Sequence, residues 1–188
     1  FLNRSWTIVN VSTTETSEHS VFVDFNRSLV GYWRFEDDGD TNATDFSSYR
    51  NNGTLVGFGC TNADCNLTGG LNGVASGFVS SGKRGKGLAF DSVDDYVNVG
   101  SGLSLNLTTA LTAEAWVKAE ANKSTQFIVG RGDTGGSSGW WLAWEAASFT
   151  FRVNNGTANL QALVNTKGVR EWQHVAGVFN LTHMSVYL

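Results

Sequence analysis

Apolar residues in this chain recur at every second position over short stretches, and none repeats them at the three-to-four spacing of an amphipathic helix. That rhythm restricts the chain to sheet. It is plainest over Gly87–Val99: Leu88 and Phe90 face one way, an acidic and polar run intervenes, and Val97 and Val99 resume the alternation. The pattern predicts two half-buried strands joined as a hairpin by a tight acidic turn.

The same reading predicts a strand at Leu29–Glu36, with Trp33 and Phe35 on one face and Tyr32 and Arg34 on the other. Another runs over Ala110–Val117, where Leu111, Ala113, Ala115 and Val117 alternate with Thr112, Glu114 and Trp116. Phe127–Gly130 is brief; Trp140–Glu145, Phe149–Val153, Leu160–Val164, Trp172–Phe179 and Met184–Leu188 complete the series. Asn155-Gly156 favours a hairpin into Leu160–Val164, because both residues tolerate positive φ. Between Asp37 and Gly82 the composition turns to Gly, Asn, Asp, Ser and Thr, which predicts long surface loops with brief strands. Residues 1–28 hold two further alternating segments, Trp6–Val11 and Ser20–Phe25. They read as the tail of a preceding β-domain or as an arm that pairs elsewhere. The expected fold class is all-β: a two-sheet antiparallel sandwich over 29–188 with a strand-rich extension over 1–28. A chain of 188 residues with seven Trp can fill one such core.

Charge and hydropathy narrow the partners. The net charge is −4 and the Lys and Arg residues are scattered, so the basic footprint of a nucleic-acid binder is missing. No apolar run is long enough to span a bilayer as a helix. The sequence begins at Phe1 and not at Met, which fits removal of a targeting segment or an excerpt of a longer protein.

Location is signalled by the acceptor pattern Asn-x-Ser/Thr. It occurs ten times, at Asn3, Asn10, Asn26, Asn42, Asn52, Asn66, Asn106, Asn122, Asn155 and Asn180. Composition alone predicts about three. The excess predicts an exported, N-glycosylated chain at the cell surface or outside the cell. Cys60 and Cys65 bracket four residues in a Gly- and Asn-rich loop, and in an exported chain two thiols so close predict a local disulfide. His19, His174 and His183 are too dispersed to complete a zinc site with them.

Five blocks then carry a family resemblance: Leu29–Glu36, Asn51–Thr54, Gly85–Asp91 with Asp94–Val97, Leu111–Val117 and Trp172–Val178. In this order they resemble the successive signatures of the laminin G-like, concanavalin A-like jelly-roll superfamily. The resemblance implies a jelly roll over 29–188, an extracellular role in binding glycans or proteins, and often a structural calcium ion. It also implies two or three further strands beyond the segment at Met184–Leu188. A sheet lacking them is expected to take a strand from elsewhere, such as Trp6–Val11 or Ser20–Phe25 of the same chain or a neighbour. Repeated head to tail, that exchange builds a fibre. The alternative is that the chain is one piece of a longer protein.

Candidate site residues follow. Asp45, Asn52 and Asp91 offer hard oxygen ligands of the type calcium takes. Trp140, Trp141 and Trp144 suit either sugar stacking or a core. Alternation puts Trp140 and Trp144 together inside and leaves Trp141 exposed as the ligand-binding candidate. Arg131-Gly132-Asp133 is a tripeptide that receptors read, in a place where such domains often carry a basic turn. No paired carboxylates suited to glycoside hydrolysis are visible: Glu114 has no acidic neighbour at i+2 or i+4, and Glu36-Asp37-Asp38 falls where strand gives way to loop. The expected function is a non-catalytic structural or adhesive surface glycoprotein whose partners are other copies of itself or neighbouring surface proteins. The alternative is a calcium-dependent glycan-binding module.

Overall fold

The computed structural model describes residues 27–37, 41–58, 76–107, 109–121, 125–132, 138–154 and 159–188. The N-terminal segments, both cysteines, Asp133, the Asn155-Gly156 turn and the acceptors Asn3, Asn10, Asn26, Asn66, Asn122 and Asn155 lie outside them.

In chain order the strands are β1 (Asn42–Ala43), β2 (Gly53–Val56), β3 (Gly77–Val79), β4 (Gly87–Ala89), β5 (Tyr96–Asn98) and β6 (Leu111–Val117). They continue with β7 (Gln126–Gly132), β8 (Gly139–Glu145), β9 (Ser148–Asn154), β10 (Asn159–Asn165), β11 (Gln173–Phe179) and β12 (Met184–Tyr187). All pairings are antiparallel. One larger sheet has the order β10-β9-β8-β7 and the other β12-β11-β6; β1-β2-β5 and β3-β4 form two smaller ones. Leu142, Trp144, Phe149 and Phe151 of the first meet Leu111, Ala113, Val175 and Phe179 of the second in a single apolar cluster. This is the expected all-β sandwich of the jelly-roll kind. Alternation explains which residues enter it: along β6 the odd-numbered positions turn inward while Thr112, Glu114 and Trp116 face out.

Two expectations are corrected. Gly87–Val99 is no hairpin, because β4 pairs with β3 and β5 with β2, in different sheets. The acidic turn diverts the chain between them. Val93 N–H donates to Asp91 Oδ1 at 2.8 Å, Asp91 N–H donates to Asp95 Oδ2 at 2.7 Å, and Ser92 adopts φ +68°. Side-chain acceptors thus take the backbone donors that a hairpin ladder would use. Leu29–Glu36 is likewise not a continuous strand: Trp33 makes one isolated antiparallel bridge to Asp45. Tyr32 N–H goes to the Asp45 side chain, and Phe35 sits at φ +57°, outside the extended region. The expected faces survive, with Trp33 and Phe35 half-buried and Tyr32 and Arg34 exposed.

Strand β7 is longer than its sequence pattern. A bulge between Phe127 and Val129 breaks the alternation and lets both Ile128 and Val129 pack toward the core. The β8–β9 hairpin closes on the pair Glu145–Ser148 through exposed Ala146 and Ala147, at φ +44° and +71°. Two-residue hairpin turns with positive φ favour Asn-Gly, and alanine is disfavoured there. Ala146→Asp with Ala147→Gly, a favoured turn pair that creates no Asn-x-Ser motif with Ser148, is therefore expected to stabilise the fold by about 1–2 kcal/mol and raise the melting temperature by about 3–6 °C. A thermal melt that does not rise contradicts this account of the turn.

Candidate functional site

Asp45 is fully buried, and its carboxylate gathers the loop before β2. Oδ1 accepts Tyr32 N–H at 2.7 Å and Ser47 N–H at 2.8 Å; Oδ2 accepts the Ser47 hydroxyl and Asn51 N–H, both at 2.7 Å. Burial by itself pushes the Asp45 carboxyl up, but the bonds from Ser47, Tyr32 and Asn51 outweigh it and hold the pKa below its ordinary 3.8. Four donors fill the lone pairs that a cation would use. Asn52 is also engaged, its Oδ1 accepting Asp45 N–H at 2.9 Å. This pair ties the loop together; it does not fit a metal.

Asp91 lies elsewhere in the donor chemistry. Its carboxylate clusters with those of Asp94 and Asp95, with one oxygen of each within 4.8 Å of the others. Asp95 Oδ1 is buried without a hydrogen-bond partner. Burial, with the charge of Asp91, raises the Asp95 pKa above 3.8. Three carboxylates on one turn are hard-oxygen donors of the type calcium takes, and of the three expected ligands only Asp91 is set among other carboxylates in the described residues.

The tryptophans divide as alternation predicts, with one correction. Trp144 is core, stacked edge-on against Phe149 at 5.1 Å, and Trp140 packs on the same cluster. Trp141 does face the other side of the sheet, yet it is only 7% exposed. Phe127 meets it edge-on at 6.4 Å, and the Arg152 guanidinium stands 6.0 Å from its ring centroid. Arg152 lies opposite Trp141 in the ladder but bonds Glu145, at 2.8 Å, near the far end of the hairpin. Thr150 and Ala143, on the same face between these two ladder positions, are also buried. Trp141 has no open face for a sugar.

Among the described residues the exposed indole is Trp116, on the outer face of β6. It is 46% exposed, with the Lys83 ammonium 4.8 Å from its centroid and the His174 ring at 5.2 Å. His174 is opposite Trp116 in the ladder and stands 3.6 Å from Glu114. Neither this group nor the Arg152–Glu145 pair was found from sequence. The alternation of β6 and β11 already puts Trp116, Glu114 and His174 on outward faces, but their contact requires the register. The seam of β10 and β12 holds a shallow cleft of about 150 Å³ bordered by Leu160, Phe179, Leu181 and Met184, below the usual size of a small-molecule pocket.

Four of the glycosylation acceptors fall within the described residues. Asn42, Asn52, Asn106 and Asn180 are all exposed. Asn180 Oδ1 accepts the N–H and hydroxyl of Thr182 and the N–H of His183, at 2.8–3.2 Å, so its amide nitrogen points away from the turn. No helix among the described residues is long and apolar enough to cross a membrane.

Residues 91–188, more than half of the chain, match the model of a family described as the concanavalin A-like lectin/glucanases superfamily, of laminin G type. No curated protein and no solved structure gives a match.

Proposed function

Because this chain belongs to the concanavalin A-like lectin/glucanase superfamily, we propose that it is a non-catalytic, N-glycosylated extracellular surface module with a structural or adhesive role. The observation that carries the reading is the exposure of all four acceptor asparagines within the described residues. Absence of catalysis is supported by the partners of the acids: Glu114 faces His174, Glu145 faces Arg152, and Asp45 is saturated with donors. The Asp91 turn has carboxylates at a spacing near that of a retaining glycosidase, but its Asp94 is exposed on a turn, where an Asp-rich sequence more often shapes the loop or takes a cation. Mass spectrometry of native material before and after deglycosylation tests the reading. Peptides heavier than their sequence by sugar units are expected; bare peptides at every acceptor overturn it.

The structural role extends to assembly with other copies. Among the described strands β12 ends the order of its sheet, and an edge of that kind is where a strand from a neighbour adds. Trp6–Val11 and Ser20–Phe25 have the alternation of a donated strand. Deleting residues 1–26 is expected to abolish higher assemblies in size-exclusion chromatography and electron microscopy, and assemblies that persist after deletion exclude strand donation.

A second reading, calcium-supported glycan binding, is favoured by the exposed Trp116 beside Lys83 and His174 and by the carboxylates of Asp91, Asp94 and Asp95. A glycan array run with and without chelator distinguishes it: chelator-sensitive binding that Trp116→Ala abolishes supports this reading, and no binding in either condition removes it.

A further inference from the structure

Two of the acceptor motifs, ten residues apart in sequence, are zipped together in the fold. Asn42-Ala43-Thr44 runs through β1 and Asn52-Gly53-Thr54 leads into β2, and the antiparallel register sets Asn42 opposite Thr54 and Ala43 opposite Gly53. The middle residue of each motif is buried, and Gly53 is packed so closely that a Cβ there would lie 2.4 Å from Val97. Strand alternation then turns the asparagines of both motifs outward on the same face, where both are exposed. Asn52 stands two residues from Thr54, so it is a diagonal neighbour of Asn42, at about 7–8 Å.

The side-chain amides are disposed for modification. Asn52 Oδ1 is held by Asp45 N–H at 2.9 Å, a bond that does not use Nδ2, the atom that carries an N-linked sugar. Strand β1 also ends the order of its sheet among the described strands. We propose that Asn42 and Asn52 are a paired N-glycosylation site, with the two sugars standing side by side along the β1 edge. The proposal rests on reading the chain as an N-glycosylated surface module, and adds which sites are occupied and which of them interact. On an unfolded chain both acceptors are open to the transferring enzyme. Once β1 and β2 pair, each sugar obstructs the enzymes that process the other, whereas Asn106 and Asn180 lie on separate turns.

The test is site-resolved glycopeptide fragmentation of native protein, followed by the same measurement on two variants. Asn42→Gln removes one sugar; Thr54→Ala removes the other while keeping the Asn52–Asp45 bond. Both acceptors are expected to be occupied in the native protein. Asn42→Gln is expected to shift the dominant glycoform at Asn52 by one or more sugar units, Thr54→Ala to do the same at Asn42, and neither to alter Asn180. Sugar on Asn106 or Asn180 with Asn42 and Asn52 bare overturns the pairing while leaving the glycoprotein reading intact, as does an Asn52 glycoform indifferent to Asn42→Gln. Bare peptides at these four sites overturn the pairing, and bare peptides at all ten acceptors overturn both.

Discussion

Asp45→Ala is expected to lower stability by about 4 kcal/mol, because four donors inside the fold lose their acceptor together and each buried unmet group costs about 1–3 kcal/mol. Asp45 is fully buried, so water cannot readily replace the carboxylate. A small domain has only about 5–15 kcal/mol in total, and the loss should show as a clear fall in the denaturant midpoint. Asp45→Asn retains one acceptor oxygen, for Tyr32 and Ser47 N–H, and should lose about half as much. A cost below about 1 kcal/mol for Asp45→Ala would mean that the loop does not depend on this carboxylate.

Acid titration gives the same hub a signature. The folded pKa of Asp45 is depressed below 3.8, so its contribution is present in full above the unfolded value and is lost as pH falls through the folded pKa. Asp95 works in the opposite sense. Its folded pKa is raised, so the ionised form carries a penalty at neutral pH that is relieved as pH falls through that raised value. Stability is therefore expected to hold or rise slightly on mild acidification and then fall below pH 3.8. Asp95→Asn should remove the first limb and Asp45→Asn the second, as read from denaturant midpoints against pH.

The other large effect is in the core. Phe151 is fully buried, and its ring rests on the backbone of Gly177 across the sandwich: a Cβ at Gly177 would lie 2.4 Å from the ring. Phe151→Ala is expected to cost about 3–5 kcal/mol, from lost burial and the cavity left behind. Gly177→Val drives atoms into the ring and should cost about 1–3 kcal/mol or more. The two should not add. With Phe151 cut to alanine, the valine enters vacated space, so the double variant is expected to be more stable than the sum of the single losses implies. Strict additivity in a double-mutant cycle contradicts the contact.

Alternation made the strands of the two larger sheets legible because each has one face in the core and one outside it, and a period of two records that asymmetry directly. Alternation failed at Gly87–Val99, where the partners of each half are remote in sequence and the turn's own acids capture its amides. The site was legible only in kind. Asn-x-Thr motifs are written in the chain, and so is the density of acids at Asp91, Asp94 and Asp95. That Asp45 gathers four donors, and that Trp141 is buried with Phe127 and Arg152 beside it, depended on where side chains of distant segments end.

Local chemistry thus determined the fold class, the inward residues of the larger strands and the list of acceptors, since each depends on neighbours one to three positions away. Tertiary structure alone decided which strands pair, which tryptophan stays open and which acceptors become neighbours. Register between strands arises from packing of the whole core, and it brought Asn42 within reach of Asn52 and Trp116 within reach of His174.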